Sequence, residues 1–198
     1  KAKELARTLV LAEGTEPRTI RAARIITDQR LAGKVVLLGE RSAVEEAALA
    51  EETSLEGIDL VEPATDARLE AFADEYVELR RHKGMTRDAA REQIVEPLKW
   101  GAMMVRKGDA DAMVAGAENA TSNVLVAAFT IIKTAPGTKY ASSCFVMKHP
   151  DSRWGVDGHM IFSDCATIPD PDATQLAEIA PAAADSCREF LGSEPRVA

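Results

Sequence analysis

Short apolar runs of strand length alternate along the chain with longer segments that carry apolar residues at helical spacing. The runs predict strands at 8–12, 34–38, 58–61 and 112–115. The periodic segments predict helices after 14–17 and at 44–50, 66–81, 86–95 and 97–107. Thr15 is the expected cap of the first helix and Gly33 its expected end. Strands and helices that alternate in this way indicate an α/β fold with a parallel sheet covered on both faces.

The segment 111–134, DAMVAGAENATSNVLVAAFTIIKT, contains the most informative corner. An apolar strand ends at Gly116, a polar stretch follows at 118–123, and apolar residues then recur at helical spacing up to Ile132. A strand–turn–helix corner of this kind leaves backbone N–H groups unpaired at the positive end of the helix dipole. With the side chains of Thr121, Ser122 and Asn123, it would form an anion site. The alternative is that one of these three residues is only an N-cap.

The pattern changes at Ala135-Pro136-Gly137. Beyond it, strands are predicted at 140–147 and 160–163, with a polar hairpin or long loop between them, followed by a helix at 174–190. We therefore expect a first α/β domain at 1–136 and the start of a second at 137–198. Residues 196–198 follow a Gly-Ser-Glu-Pro turn and are expected to begin a strand, so the chain is expected to be a fragment.

Composition limits the classes of function. The chain has 198 residues, a net charge of -8 and a pI near 5.0, which argues against nucleic acid or anionic membranes as partners. No apolar run has the length of a membrane helix, and residues 1–7 do not resemble a signal peptide. The three scattered cysteines indicate reduced thiols in a cytoplasmic protein. Cysteine and histidine spacing predicts no metal site.

Three further groups of polar residues could carry chemistry. Residues 80–84, RRHKG, put cations at a helix end. The favoured interpretation is that these cations interact with the helix dipole and that the glycine is a C-cap; recognition of an anion is the alternative. Asp109 and Asp111 are more consistent with a solvated turn than with acid–base work. Asp164 and Cys165 end a strand, a common position for a site, although such a cysteine is more often a small buried residue. Fingerprints of dinucleotide-binding, P-loop and hydrolase-elbow proteins are missing from the sequence.

Taken together, the sequence resembles the phosphate acetyltransferase family, with its phosphate butyryltransferase relatives. The resemblance spans the whole chain and rests on several segments in order. These are LAEGTE at 11–16 with Arg18, VLLG at 36–39, LRRHKGMT at 79–86, GAMMVRKGDADAMVAGA at 101–117, IIKTAPG at 131–137, FSDCA at 162–166, PDATQLAEIA at 171–180 and the end of the chain at 194–198.

This resemblance implies a two-domain, three-layer α/β fold like that of isocitrate dehydrogenase, with the active site in the cleft between the domains. It also implies reversible acyl transfer between acetyl-CoA and inorganic phosphate, giving acetyl phosphate and CoA, usually by a homodimer. No metal or resident cofactor is implied, and coenzyme A is a co-substrate. The chemistry needs a base for the thiol, cations for phosphate and donors for the developing oxyanion.

Carried over to this chain, the resemblance makes Arg80 a residue that binds CoA or phosphate. The corner, with Gly116, Asn119, Thr121, Ser122 and Asn123, corresponds to the loop that lines the acyl phosphate pocket. The family usually has a phosphate-holding arginine where this chain has Val126, and a histidine or lysine in the loop where this chain has asparagines. The catalytic serine, arginine and aspartate of the family are expected in a C-terminal part that this chain lacks.

A second hypothesis is a non-catalytic phosphotransacetylase-like domain that responds to acetyl-CoA, like the regulatory part of large bacterial malic enzymes. Val126 favours this hypothesis. The LRRHKGMT segment and the charged start at 1–7 favour the enzyme. Acetyl and longer acyl groups both stay open, since pocket width depends on packing.

Overall fold

In the computed structural model, which describes residues 2–198, the chain divides into two units between Lys133 and Thr134. The domain boundary predicted at 136 stays a prediction. The first unit holds a four-stranded parallel sheet, and the second holds a two-stranded antiparallel hairpin with one long helix.

The sheet of the first unit has the strand order β3-β2-β1-β4. Its strands are β1 (Thr8–Leu11), β2 (Lys34–Leu38), β3 (Asp59–Val61) and β4 (Ala112–Val114). The helices of this unit are α1 (Ala2–Leu5), α2 (Pro17–Asp28), α3 (Arg41–Ala50), α4 (Leu69–Arg80), α5 (Arg87–Ile94), α6 (Pro97–Lys107) and α7 (Thr121–Ala127). Val10 on β1 pairs with Val36 on one side and with Met113 on the other. The predicted α/β fold with a parallel sheet is confirmed.

Successive residues of the central strands pack into two different cores. Val10, Val36 and Leu38 belong to a large core with residues of α4, α5, α6 and α7, including the fully buried Trp100. Leu11, Val35 and Leu37 belong to a smaller core with residues of α2 and α3. Side chains of a strand point alternately to the two faces of a sheet, so this sheet has helices on both faces and forms the middle of three layers.

Several predicted element ends were wrong for local reasons. Thr15 is exposed, and Glu16 caps α2 instead because its buried carboxylate accepts the Thr19 N–H at 2.8 Å. α2 ends at Asp28 rather than at Gly33. Gly33 leads into β2, where a Cβ would lie 2.3 Å from the carbonyl oxygen of Ala6.

The helix after β4 also differs from the prediction. α7 changes at Ala127 into a π-helical turn, Ala128–Ile132. The Thr130 hydroxyl donates to the Val126 carbonyl at 2.6 Å, and the Lys133 N–H reaches back to the Ala128 carbonyl. A wider turn of this kind is common near functional sites, and periodicity alone does not reveal it.

The second unit consists of β5 (Cys144–Lys148), β6 (His159–Ser163) and α8 (Ala173–Leu191). β5 and β6 pair antiparallel, with Phe145 opposite Phe162, so the predicted hairpin forms. Asp172 and Gln175 make a capping box at the start of α8. In the described part of the chain, residues 196–198 belong to no strand, so the expectation that they begin one is wrong. Among residues 2–198, no helix combines the length and apolar character needed to cross a membrane.

Candidate active site at the carboxyl end of the sheet

The predicted corner lies where the direction of strand order reverses. From β1 the chain proceeds to β2 and β3 on one side, then returns to β4 on the other side of β1. The helix after β1, α2, packs in the smaller core and the helix after β4, α7, packs in the large core, so the two connections go to opposite faces of the sheet. In open α/β sheets, ligands bind in the crevice at such a switch point.

A single carboxylate organises this crevice. Glu13, just beyond β1 and only 6% exposed, reaches the segment after β4. Its Oε2 accepts the N–H groups of Gly116 at 2.9 Å and Ala117 at 2.7 Å. Its Oε1 accepts the N–H groups of Glu118 at 3.0 Å and Asn119 at 2.8 Å, and the Asn119 Nδ2 at 2.9 Å. The bonds join residues more than 100 positions apart in sequence.

These hydrogen bonds determine the ionisation of Glu13. Burial by itself raises the pKa of this carboxyl group, but the side-chain and backbone hydrogen bonds from Asn119, with those from the N–H groups before it, outweigh burial and lower the pKa to about 2. Donors that converge on both oxygens stabilise the charged form. Glu13 is therefore an anion at neutral pH and fills the place that a bound anion would take.

A second contact holds the same segment from the α2 side. The Arg18 Nη2 donates to the Ala117 carbonyl at 2.6 Å, and its Nε donates to the Glu16 carboxylate at 2.5 Å. Glu16 in turn caps α2. The four N–H groups of the segment 116–119 thus donate to Glu13, and the Ala117 carbonyl accepts from Arg18.

The expectation that the corner has unpaired backbone N–H groups is wrong for 116–119, because Glu13 accepts from all four of them. Gly116 has φ +111°, a conformation that favours glycine at the point where the chain leaves β4. The binding roles predicted for Gly116 and Asn119 remain predictions. In this structure the N–H groups of both residues, and the Asn119 side chain, have an internal partner.

Thr121, Ser122 and Asn123 occupy the first turn of α7, and all three are exposed. The N-cap of α7 is Ala120, and none of the three fills the simple capping role that was the alternative. Val126 lies on the same helix and is 55% exposed. The first turn of α7 therefore exposes two hydroxyl groups and an amide directly after the segment that Glu13 holds.

Arg80 and Arg81 differ in their surroundings. Arg80 is the last residue of α4 and is half-buried, and its Nε is buried with no hydrogen-bond partner among residues 2–198. Arg81 is exposed and forms an ion pair with Glu78 one turn earlier. The glycine C-cap predicted at Gly84 is present, with φ +71°. Within the described chain, no hydrogen bond joins Arg80 to the corner.

The acidic candidates have structural partners. Asp111 accepts the Thr8 N–H at 2.8 Å and pairs with Arg7, while Asp109 pairs with Arg68. In the second unit, Asp164 accepts the Ser143 N–H at 2.6 Å and the N–H groups of 166–168. Burial raises the pKa of Asp164, but these backbone hydrogen bonds outweigh it and lower the pKa well below its usual range. Cys165 is half-buried and its N–H donates to the Ser143 hydroxyl.

Sequence reasoning did not single out Glu13 or Arg18 as functional residues. The available signal was an acidic residue directly after a buried strand and before a glycine, at the carboxyl end of the sheet. Among residues 2–198, no group of three or more His, Cys, Asp or Glu side chains could hold a metal ion.

Comparison with known proteins decides the family. The family model described as phosphate acetyl/butaryl transferase matches residues 1–198. This chain belongs to the phosphate acetyl/butaryl transferase family. It is 46% identical, over all 198 of its residues, to a phosphate acetyltransferase from Acetivibrio thermocellus, and 47% identical over 191 residues to one from Treponema pallidum. The chain spans 59% and 57% of the lengths of these two relatives.

Solved structures of the family agree with this assignment. A phosphotransacetylase from Streptococcus pyogenes matches 96% of this chain with a TM-score of 0.86 at 27% identity. The EutD phosphotransacetylase from Staphylococcus aureus matches 98% of this chain with a TM-score of 0.84 at 31% identity. The chain covers 56% and 57% of these two structures.

Proposed function

We propose that the full-length protein containing this chain is a phosphate acetyltransferase. In the proposed reaction, the sulfur of CoA attacks the carbonyl carbon of acetyl phosphate, a C–S bond forms, the C–O bond to phosphate breaks, and the thiol proton passes to a base. The reverse direction makes acetyl phosphate and CoA from acetyl-CoA and phosphate. The observation that carries the proposal is the family match over the whole chain, together with 46% identity to a named phosphate acetyltransferase.

Within this proposal, Thr121, Ser122 and Asn123 donate hydrogen bonds to the phosphoryl group, and Arg80 binds a phosphate of CoA or of the acyl phosphate. Three exposed donors on one turn at the switch point support the first role. The orphaned Nε of the half-buried Arg80 supports the second, because a buried guanidinium N–H without an acceptor is costly. Arginine's planar fork suits phosphate oxygens.

The remaining features of the proposal come from the family. CoA is a co-substrate, no metal or resident cofactor takes part, and the catalytic base lies outside this chain. The protein acts in the cytoplasm as a homodimer. A net charge of -8 supports small anions held at built sites over a general affinity for nucleic acid.

The test is an assay of purified full-length protein with acetyl phosphate and CoA, following acetyl-CoA formation, and in reverse with acetyl-CoA and phosphate. We expect turnover in both directions without added metal, with the reverse reaction dependent on phosphate. Butyryl-CoA in the reverse assay compares a longer acyl group. Binding of acetyl-CoA without turnover in either direction would contradict the proposal.

A further inference from the structure

Glu13 has the contacts of a bound anion but belongs to the protein. Both of its oxygens are occupied, by five hydrogen bonds in all, and it is almost fully buried. Four successive N–H groups that point at one place would be costly if left unpaired. The segment 116–119 therefore keeps this conformation only while a carboxylate lies beneath it.

The segment that Glu13 holds leads directly into α7. Asn119 precedes Ala120, which is the N-cap of α7, and no side chain caps this end within the described chain. The Asn123 N–H donates to the Ala120 carbonyl at 2.9 Å, which ties the first turn to the end of the segment. The positions of Thr121 and Ser122 thus depend on how the segment 116–119 is held.

We propose that Glu13, supported by Arg18, is the positioning residue of the acyl phosphate site: it occupies the amide nest at 116–119 and thereby sets where Thr121 and Ser122 meet the phosphoryl group. This inference rests on the proposed function. It also assigns a division of labour, in which the N–H groups of 116–119 bind the protein's own carboxylate and the first turn of α7 binds the substrate.

Two substitutions separate the charge of Glu13 from its volume. Glu13→Gln fills the same space but offers one acceptor oxygen, and its NH₂ group faces N–H donors. We expect the KM for acetyl phosphate to rise tenfold or more, with a smaller fall in kcat, because the phosphate donors are displaced while the chemical groups are not. Glu13→Ala leaves the nest empty, and formate, a small carboxylate, should lower its KM again in a saturable way.

Two controls and one further test variant accompany these substitutions. Formate should not improve Glu13→Gln, whose side chain still fills the nest, or the wild type. Glu46→Gln removes the same charge from an exposed position on α3 and should behave as wild type. Arg18 is exposed, so Arg18→Gln should leave the fold intact. It should raise the same KM severalfold because it removes the contact with the Ala117 carbonyl.

Hydrogen–deuterium exchange gives a readout that does not depend on activity. In the Glu13→Gln variant, the amides of 116–119 should lose protection and the loss should extend to 121–123. Unchanged exchange and an unchanged KM in Glu13→Gln and Arg18→Gln would overturn the inference, as would a Glu13→Ala defect that formate does not relieve. If the wild type shows no transferase activity, the proposed function fails, and exchange alone then decides whether Glu13 positions α7.

Discussion

Arg80 and Arg81 are adjacent in sequence but should contribute very differently to substrate binding. Arg80 is half-buried with an unpartnered Nε, whereas Arg81 is exposed and paired with Glu78. We expect Arg80→Ala to raise the KM for CoA or acetyl phosphate about ten- to a hundredfold, because a partly buried charge-assisted contact is worth roughly 1.5–3 kcal/mol. Arg81→Ala is the matched control and should do much less. Equal small effects at both positions would indicate a solvated basic surface instead.

Val126 is the position at which this chain departs most from the expected phosphate site. Its side chain is exposed on α7, so Val126→Arg should not disturb packing. If Thr121 and Ser122 supply sufficient donors, the wild type is active and the arginine changes the rate of acetyl-CoA formation little. Val126→Met controls for side-chain length without charge. An inactive wild type that becomes active with this arginine would contradict the enzyme proposal and favour the regulatory hypothesis.

At the scale of elements, one carboxylate joins the end of β1 to the segment after β4, and its ionisation should be visible in stability. The pKa of Glu13 falls from its ordinary value of 4.5 to about 2 in the folded protein. Its contribution is fully present above pH 4.5 and is lost as the pH falls towards 2, because folding then requires a proton to be released.

Urea unfolding of the wild type and of Glu13→Gln at several pH values measures this contribution. We expect the wild type's advantage in free energy of unfolding to shrink by on the order of 2 kcal/mol between pH 6 and pH 3. Glu46→Gln should follow the wild type throughout. A difference between wild type and Glu13→Gln that does not change with pH would show that Glu13 contributes by packing rather than as a charged acceptor.

At the scale of the molecule, local patterns predicted the layers and missed the contact that shapes the site. The alternation of Val10 and Leu11 between two cores follows from strand geometry, and α6 begins and ends at its predicted residues. The cap at Glu16 was missed because a buried glutamate took the role that threonine usually has. The Glu13 contact joins distant segments, so no local spacing encodes it.

The corner itself was recognisable, because a strand, a glycine, a polar stretch and a helical period follow one another in sequence. What the sequence could not supply was the partner of its N–H groups. That partner, Glu13, follows the neighbouring strand β1, and only the strand order β3-β2-β1-β4 makes it a neighbour. The same order turns a common strand–helix corner into a crevice at a switch point.

The most direct test of this account is a high-resolution crystal structure of the full-length protein with inorganic phosphate, and with sulfate as a second probe. We predict density for the anion within hydrogen-bond distance of the Thr121 and Ser122 hydroxyl groups, with the Glu13 carboxylate still bound by the N–H groups of 116–119. An anion that displaces Glu13 from these N–H groups would contradict the account. So would an empty first turn of α7 in a crystal that holds the anion elsewhere in the protein.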